Sequence, residues 1–317
     1  MADGRHMNTT TMPHRVAVLG TGTIGSSMTR LFLQHGLFVA AYDPNDGSLE
    51  RIASTVTGAA VSTARLSVYD SIGAACREAD FVFEAGPERL ESKREILRLA
   101  DTATRPTAVI ATGTSSLLVS DLQSGLAHPE RLVAAHPFNP PHLVPLVEVA
   151  GSVRSAEWAL RYVFDFFTVL GRRPIQLRRE AVGHIANRLT AALYREAVSI
   201  VSEGIATVAD VDDAVRFGPG LRWAVMGPHM LYHLGGGDGG YAKYLEHLGP
   251  TQEARWRDLG TPQLTAAVRQ LLVEGVEAEA SGRSLAALSQ QRDAALAAIL
   301  EALGRQELFC AAQSRAG

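Results

Sequence analysis

The first part of the chain alternates short apolar runs with helical patterns. The run Val16–Gly20 is apolar and ends in glycine, as a buried parallel strand does. Residues 24–35 then carry apolar side chains at helical spacing, and Gly36 is a typical helix stop. The segment Phe38–Asp43 predicts a second strand. This strand–helix–strand order is a βαβ unit, for which a right-handed crossover is expected.

The alternation continues to about residue 177. We expect further strands over residues 80–84, 108–112, 131–136, 146–149 and 174–177, and helices over residues 90–100 and 155–170. Strands that alternate with helices in this way predict an α/β domain with a doubly wound, Rossmann-type sheet.

After residue 182 the hydrophobic period becomes helical throughout. We expect helices over residues 185–203, 208–217, 264–282 and 285–303, and no strand. Residues 218–260 show no clear period and are expected to be irregular, and a segment of that length is more often functional than idle. The pattern therefore predicts a disordered tail at residues 1–13, a Rossmann-type domain at 14–182 and an all-α domain at 183–317.

The composition narrows the class of protein. Hydrophobic residues make up 46% and charged residues 20%, and the net charge is −3, which is typical of a globular protein and excludes a strongly basic nucleic-acid-binding chain. No apolar run approaches the ~20 residues that cross a bilayer. Cys76 and Cys310 are isolated in the sequence, so a reduced, cytoplasmic protein is expected, although a disulfide between them stays an alternative. From the charge and the lack of a long apolar run we expect no nucleic-acid or membrane partner.

A glycine motif connects the first predicted strand with the first helix. Gly20, Gly22 and Gly25 have the spacing of a dinucleotide-binding turn. In such a turn the first glycine allows the tight bend, the second lets the backbone approach a pyrophosphate, and the third lets the helix pack closely. Thr23 and Ile24 would then present amides at the helix N-terminus to the phosphates.

Asp43 ends the second predicted strand and indicates which dinucleotide is bound. Its carboxylate suits hydrogen bonds from the adenosine ribose hydroxyls and repels a 2′-phosphate. The next residues, Pro44 and Asn45, supply no arginine for such a phosphate. NAD is therefore expected rather than NADP, and FAD stays the other alternative.

One stretch near the middle of the chain carries candidate acid–base chemistry. His136 and Glu148 lie twelve positions apart, with prolines after the histidine. A histidine suits removal of a proton from an alcohol while a hydride leaves, and a carboxylate on its other nitrogen fixes the tautomer. Together with the glycine motif, this pair predicts an alcohol dehydrogenase that needs no metal. On residue type alone, a structural histidine stays an alternative.

From Val16 onward the chain resembles the 3-hydroxyacyl-CoA dehydrogenase family. The resemblance is carried by the spacing of Ser115, His136 and Glu148, and by Asn187 in the motif Gly-His-Ile-Ala-Asn-Arg-Leu. It implies that Ser115 and Asn187 hydrogen-bond the substrate oxygen, that His136 is the general base and that Glu148 orients it. Taken singly, Ser115 is also consistent with a helix N-cap and Asn187 with an ordinary polar helix residue.

The segment 84–93 also matches the family's cofactor-binding region. The resemblance implies that Glu88 and Lys93 lie by the nicotinamide-side ribose and that Asn139 belongs to the cofactor site. Taken alone, Glu88 and Lys93 equally form a charged first helical turn. One residue departs from the pattern, because Gly113 stands where acyl-CoA enzymes usually carry asparagine. This departure weakens the case for a CoA-thioester substrate.

Residues 218–228 resemble the branch of the family that acts on free 3-hydroxy acids such as L-carnitine and L-gulonate. Arg222 suits a bidentate grip on a free carboxylate, which a CoA thioester lacks, although a surface salt bridge is an alternative role. The resemblance implies NAD-dependent oxidation at C3, with L-carnitine the favoured substrate. L-Gulonate, another short 3-hydroxy acid, an acyl-CoA and a non-catalytic, crystallin-like NAD-binding protein stay open.

A trimethylammonium group on the substrate would require aromatic faces. Phe138, Trp223 and Tyr232 are the candidate contacts, although aromatic residues in such segments are often plain core. The glycine run at residues 234–240 is expected to be either a mobile flap or an ordinary connector. Because members of the family usually pair through their helical domain, the resemblance also implies a homodimer.

Overall fold

The computed structural model of the protein describes residues 12–45, 47, 52 and 63–304. Of the expected disordered tail, residues 1–11 lie outside this part of the chain, whereas Met12 packs against the core and Pro13 is buried. The chain divides into two compact units, Met1–Arg188 and Leu189–Gly317. The expected boundary after residue 182 stays a prediction.

The first unit is built on one mixed sheet. Among the described residues its strands are β1 (Arg15–Leu19), β2 (Phe38–Tyr42), β3 (Leu66–Tyr69), β4 (Phe81–Glu84), β5 (Val109–Thr112), β6 (Leu132–Pro137), β7 (Leu146–Ala150) and β8 (Arg173–Gln176). They follow the order β3-β2-β1-β4-β5-β6-β7-β8. Only the β6–β7 pair is antiparallel. The sequence pattern missed β3, and it found the other seven within one or two residues.

Helices cover both faces of this sheet. With bounds that lie wholly within the described residues, they are α1 (Thr23–Gln34), α2 (Ile72–Cys76), α3 (Leu90–Ala103), α4 (Val119–Leu122) and α5 (Glu157–Val169). Because side chains alternate along a strand, Val16 and Val18 of β1 join one core cluster, and Ala17 and Leu19 join the other. Strands β2 and β3 are added on one side of β1 and β4 on the other, so the strand order reverses between the parallel neighbours β1 and β4. The prediction of a doubly wound, Rossmann-type domain is confirmed.

The second unit is helical, as predicted. Helix α6 (Ala186–Ser202) leads into it, followed by α7 (Val208–Phe217), α8 (Pro219–Val225), α9 (Pro228–Gly235), α10 (Gly240–Asp258), α11 (Ala266–Ala280) and α12 (Leu285–Gly304). The expectation of an irregular segment at residues 218–260 is wrong, because α8, α9 and α10 occupy it. The glycine run 234–240 ends α9, forms a 3-10 turn and begins α10.

Two further features bear on the class of protein. In the part of the chain that the structure describes, no helix is long and apolar enough to cross a membrane. Cys76 is buried against the sheet, and burial raises the pKa of its thiol to about 12. Its thiol therefore stays protonated and unreactive at neutral pH. Cys310, the other cysteine of the sequence, lies outside the described residues.

Candidate active site

The chemistry-bearing residues of the first unit follow strands that end at one edge of the sheet. Gly20 follows β1, Asp43 follows β2, Glu84 ends β4, Ser115 comes shortly after β5, and His136 lies near the end of β6. These strands are parallel to their neighbours in the order β2-β1-β4-β5-β6, so their carboxyl ends share that edge. Open α/β sheets bind their ligands outside this edge.

The glycine turn has the shape that a dinucleotide site requires. Gly20 has a φ of +99°, and a Cβ there would lie 2.6 Å from the carbonyl oxygen of Ala85. A Cβ on Gly25 would lie 1.8 Å from the oxygen of Gly20, so neither position accepts a side chain. A Cβ on Gly22 would meet nothing within 4 Å. The turn is therefore closed on its inner side and open beside Gly22, where a pyrophosphate fits against the backbone.

The start of α1 and the end of β2 complete this surface. Thr23 and Ile24 open α1, whose first turn holds no acidic residue and receives no side-chain cap. Asp43 Oδ2 accepts hydrogen bonds from Thr21 N at 2.7 Å and Thr21 Oγ1 at 2.9 Å, and Oδ1 accepts one from Asn45 N at 2.9 Å. Burial raises the pKa of Asp43, but these hydrogen bonds outweigh it and lower the pKa. A fixed, ionised carboxylate thus stands beside the turn.

His136 and Glu148 are direct cross-strand partners in the antiparallel pair β6–β7, which explains their spacing in the sequence. His136 Nδ1 lies 2.9 Å from Glu148 Oε2. The buried Glu148 also accepts hydrogen bonds through Oε1 from Ile185 N at 2.8 Å and Ala186 N at 2.9 Å. Burial raises the pKa of Glu148, but the bonds to His136 and these amides lower it overall. Asn187 follows directly, in the first turn of α6.

An ionised carboxylate is an acceptor only, so the proton of His136 lies on Nδ1 and its Nε2 is left with a lone pair. In the unprotonated form of His136, the outer nitrogen of the pair can therefore accept a proton. The backbone amides on Glu148 fix that carboxylate in turn. This arrangement is suited to general base catalysis with an oriented tautomer.

Glu88 fixes the loop that carries Ser115, a contact that the sequence pattern did not predict. Its Oε1 accepts hydrogen bonds from Thr114 Oγ1 at 2.6 Å and from the backbone amides of Ser115 and Ser116, each at 2.9 Å. Burial raises the pKa of Glu88, but the hydrogen bond from Thr114, the charge of Lys93 and the bonds from Ser116 lower it to about 2. Glu88 is therefore ionised at neutral pH, and it holds the Ser115 backbone in place.

Lys93 is buried and its ammonium group is surrounded by protein oxygens. Its Nζ lies 2.9 Å from both Oε1 and Oε2 of Glu84, 3.1 Å from the Gly86 carbonyl and 3.5 Å from Glu88 Oε2. Because an ammonium group has three donors, these contacts occupy it. The structure thus assigns Lys93 an ion pair with Glu84, which the sequence pattern missed, and its contact with a cofactor stays a prediction.

His184 is a third buried group at this edge, and the sequence pattern gave it no role. Its ring stacks on that of His136, with centroids 5.2 Å apart and an interplanar angle of 16°. His136, Glu148 and His184 each offer an atom within 4.8 Å of the others, as metal ligands do. However, the two rings are nearly parallel, so the lone pairs of their nitrogens lie in two nearly parallel planes and are not directed at one point. Glu148 Oε2 is also already hydrogen-bonded to His136 Nδ1. This geometry suits stacked imidazoles better than a shared metal ion.

Other predicted residues lie on the segments around this site. The Phe138 ring meets the His136 ring edge to face, with centroids 6.5 Å apart, and Asn139 is exposed directly after it. A Cβ on Gly113 would lie 3.1 Å from Cζ of Phe83, which is tighter than an ordinary contact. The packing of Phe83 therefore disfavours an asparagine at this position, in keeping with the departure noted in the sequence.

Three predicted substrate residues belong to the second unit. Arg222 and Trp223 lie on α8, and both are exposed. The Tyr232 ring, on α9, stacks on that of Tyr244 with centroids 4.5 Å apart and an interplanar angle of 14°. The Tyr244 ring also stacks on that of Tyr241, at 6.0 Å and 8°. One face of Tyr232 is thus covered, yet the residue stays 40% exposed.

A dinucleotide turn and a carboxylate-bound histidine on one sheet edge define an NAD-dependent oxidoreductase that acts on an alcohol group. The sequence profile of the 3-hydroxyacyl-CoA dehydrogenase NAD-binding domain matches residues 15–181. The profile of the C-terminal domain of 3-hydroxyacyl-CoA dehydrogenase matches residues 183–275. The chain belongs to the 3-hydroxyacyl-CoA dehydrogenase family.

Within this family the chain is similar to several named proteins. It is 43% identical over 313 residues to an L-carnitine dehydrogenase of Nocardiopsis dassonvillei, with 95% of each chain covered. It is 42% identical over 302 residues to an L-carnitine dehydrogenase of Streptomyces coelicolor, which covers 92% of this chain and 95% of the relative. Among solved structures, it resembles an NAD⁺-dependent 5-formyl-3-hydroxy-2-methylpyridine 4-carboxylic acid 5-dehydrogenase, with a TM-score of 0.78 and 26% identity. The match covers 92% of this chain and 98% of the solved chain.

Proposed function

We propose that this protein oxidises L-carnitine at C3 to 3-dehydrocarnitine, with NAD as the hydride acceptor. The observation that carries the proposal is the 2.9 Å contact between His136 Nδ1 and the buried Glu148 Oε2. It occurs in a chain that is 43% identical to an L-carnitine dehydrogenase over nearly its whole length.

The proposed roles follow from the tautomer of His136. Its Nε2 takes the hydroxyl proton of the substrate while the C3–H bond breaks and the C3–O bond becomes a carbonyl. NAD, when bound, would accept the hydride that leaves C3. Glu148 stabilises the imidazolium that forms, and the amides on Glu148 keep it oriented. Ser115 and Asn187 hydrogen-bond the substrate oxygen and hold it beside the base. The hydroxyl proton of the substrate ends on His136 Nε2.

The cofactor is proposed to lie along the open side of the glycine turn. The space beside Gly22 and the uncapped start of α1 suit the pyrophosphate, and the ionised Asp43 suits the adenosine ribose. The residues proposed to line this site are Gly20, Gly22, Thr23, Ile24, Gly25, Asp43, Glu88, Lys93 and Asn139.

The two ends of carnitine require two kinds of contact. Arg222 is proposed to bind the carboxylate, since an exposed guanidinium offers two parallel donors. Tyr232 is proposed to face the trimethylammonium group, because stacking on Tyr244 fixes its ring while part of it remains exposed. Trp223 and Phe138 are proposed as further apolar contacts.

The second unit is proposed to mediate a homodimer. Helices α11 and α12, which the structure describes in full, contain no buried residue and expose several large apolar side chains. These are Leu271, Val273, Val276, Leu285 and Ile299. Large exposed apolar side chains on helices that bury none of their own residues indicate an interaction surface, and a second copy of the chain is its proposed occupant. We further propose a cytoplasmic location and a domain boundary after residue 182.

The test is the rate of NADH formation at alkaline pH with a panel of substrates. The panel comprises L-carnitine, D-carnitine, L-gulonate, 3-hydroxybutyrate and 3-hydroxybutyryl-CoA. The proposal expects strong activity with L-carnitine alone. A preference for the CoA ester would contradict the proposal and would place the protein with the fatty-acid enzymes.

The variant Arg222→Met tests the carboxylate contact. A charge-assisted hydrogen bond contributes about 1.5–3 kcal/mol, so the KM for L-carnitine should rise about 10- to 100-fold. Arg216→Met is the matched control, because Arg216 is an exposed arginine whose side chain pairs with Asp213 at 3.6 Å. Equal KM values in the two variants would remove Arg222 from the substrate site.

A further inference from the structure

We infer that His184 is a positioning residue that fixes the loop carrying Ser115 and the His136 ring relative to each other. The inference rests on the proposed roles of Ser115 and His136 and adds a residue to them. His184 is 3% exposed, and it contacts both the Ser115 backbone and the His136 ring.

The first contact is with the loop that carries the substrate-binding hydroxyl. His184 Nδ1 lies 3.3 Å from the carbonyl oxygen of Ser115. A carbonyl only accepts, so Nδ1 carries the proton and donates it. On its other side the same loop is held by Glu88, through the amides of Ser115 and Ser116. The loop is therefore fixed by one acceptor and one donor, and His184 supplies the donor.

The second contact is the stack on the general base. The rings of His184 and His136 are 5.2 Å apart and nearly parallel, so His184 limits the tilt of the His136 ring about its bond to Glu148. Burial lowers the pKa of His184 and the nearby His136 lowers it further, while Glu148, the Ser115 carbonyl and Glu88 act in the opposite direction. The net effect leaves His184 neutral at neutral pH. A neutral ring does not repel the imidazolium that His136 becomes.

The backbone conformation at His184 is uncommon for a residue other than glycine. His184 has a φ of +49°, directly after Gly183 at +75°. Few residues other than glycine adopt this conformation, and asparagine, aspartate and histidine are the ones that do so most often. The turn delivers the next two amides, of Ile185 and Ala186, to Glu148. This sparsely populated conformation and the two side-chain contacts together indicate that His184 is placed for its side chain.

Three substitutions at His184 distinguish the effect of its hydrogen-bond donor from the effect of its aromatic ring. His184→Asn puts an amide nitrogen at the position of Nδ1 and tolerates the backbone, whereas His184→Gln moves the amide one atom further out. His184→Phe keeps an aromatic face and removes the donor. The control is His35→Asn, because His35 Nδ1 makes the same kind of bond, 2.9 Å from the Leu31 carbonyl, at the far end of α1.

The expected result is a fall in kcat of about 10- to 100-fold in the Phe and Gln variants, because the hydroxyl and the base lose their alignment. The KM for NAD and the Kd for NADH should not change, and His184→Asn should recover most of the wild-type kcat. Wild-type kcat in His184→Phe, or a kcat in His184→Asn no higher than in His184→Phe, would overturn the inference.

A measurement without substrate keeps this test independent of the proposed reaction. In the full-length protein labelled with [¹⁵N]histidine, the His184 resonance, assigned by its loss in His184→Asn, should show a protonated Nδ1 and an unprotonated Nε2. A proton on Nε2 would contradict the inference. If the wild-type enzyme oxidises no member of the substrate panel, the proposed function fails, and this tautomer still decides the role of His184.

Discussion

Glu148→Gln removes one charge and changes one hydrogen-bonding group at the centre of the site. The side-chain oxygen of the glutamine can still accept from the Ile185 and Ala186 amides, so the start of α6 keeps its acceptor. The amide nitrogen then faces His136 Nδ1 at the 2.9 Å contact. Two donors cannot share a hydrogen bond, so the histidine must move its proton to Nε2.

A proton on Nε2 leaves His136 without the lone pair that accepts the substrate proton. An inverted tautomer of this kind lowers turnover by about 10⁴-fold in serine proteases. In free energy this loss is about 5 kcal/mol of transition-state stabilisation. The fold should be affected far less, because the glutamine side chain fills the same space and keeps both backbone bonds. The cost to stability should be about 1 kcal/mol, since neutral hydrogen bonds replace charge-assisted ones.

The assay compares Glu148→Gln with Glu148→Ala. Both variants should lose turnover, but only the alanine variant leaves the Ile185 and Ala186 amides without their acceptor, at about 1–3 kcal/mol of stability. The kcat for L-carnitine, the melting temperature and the Kd for NADH should be measured on each. If Glu148→Gln turns over at the wild-type rate, the tautomer argument is refuted.

Two further predictions concern the cofactor turn and the Ser115 loop. Gly22→Ala adds a methyl group that meets no protein atom within 4 Å, so the melting temperature should not change. The Kd for NADH should rise, because the methyl group enters the space proposed for the pyrophosphate. An unchanged Kd would show that the pyrophosphate lies elsewhere. Glu88 has a pKa lowered from 4.5 to about 2, so it stabilises the fold fully above pH 4.5 and progressively less as the pH falls towards 2. The melting temperature of Glu88→Gln should therefore lie below wild type at pH 7, and the difference should shrink at about pH 3; a constant difference would contradict this.

The sequence predicted most of the first unit because its signals are local. The glycine motif marks the turn after β1, and the apolar runs of β1, β2, β4, β5 and β6 are buried, as uninterrupted apolar strands are. Strand β3 escaped because it has only four residues, Leu66–Tyr69, at the edge of the sheet, and none of them is fully buried. Its pairing with β2 depends on tertiary contacts that a local pattern does not contain.

The sequence pattern did not predict the helices at residues 219–258, for a different reason. Pro219 and Pro228 interrupt the apolar period, yet each lies at the start of a helix, where a missing amide hydrogen costs nothing. Pro250 lies inside α10, against the usual preference. The interrupted apolar period therefore predicted an irregular segment where the fold is helical.

The candidate site likewise combines features that the sequence predicted with features that depend on tertiary contacts. The spacing of His136 and Glu148 follows from the register of two antiparallel strands, so it was readable from the sequence. His184 was not, because its contribution depends on a positive φ and on a stack with a residue from a distant strand. The Lys93–Glu84 ion pair was missed because the burial of both side chains is not visible in a charged motif.

The most direct test of the account follows the hydrogen on C3 of the substrate. The enzyme is incubated with NAD and L-carnitine deuterated at C3, and the cofactor and the organic product are analysed by mass spectrometry. The account predicts one deuterium in the reduced cofactor, an equal amount of 3-dehydrocarnitine and a slower reaction than with unlabelled substrate. Reduced cofactor without deuterium, or no product from L-carnitine at all, would contradict oxidation at C3 as the reaction of this protein.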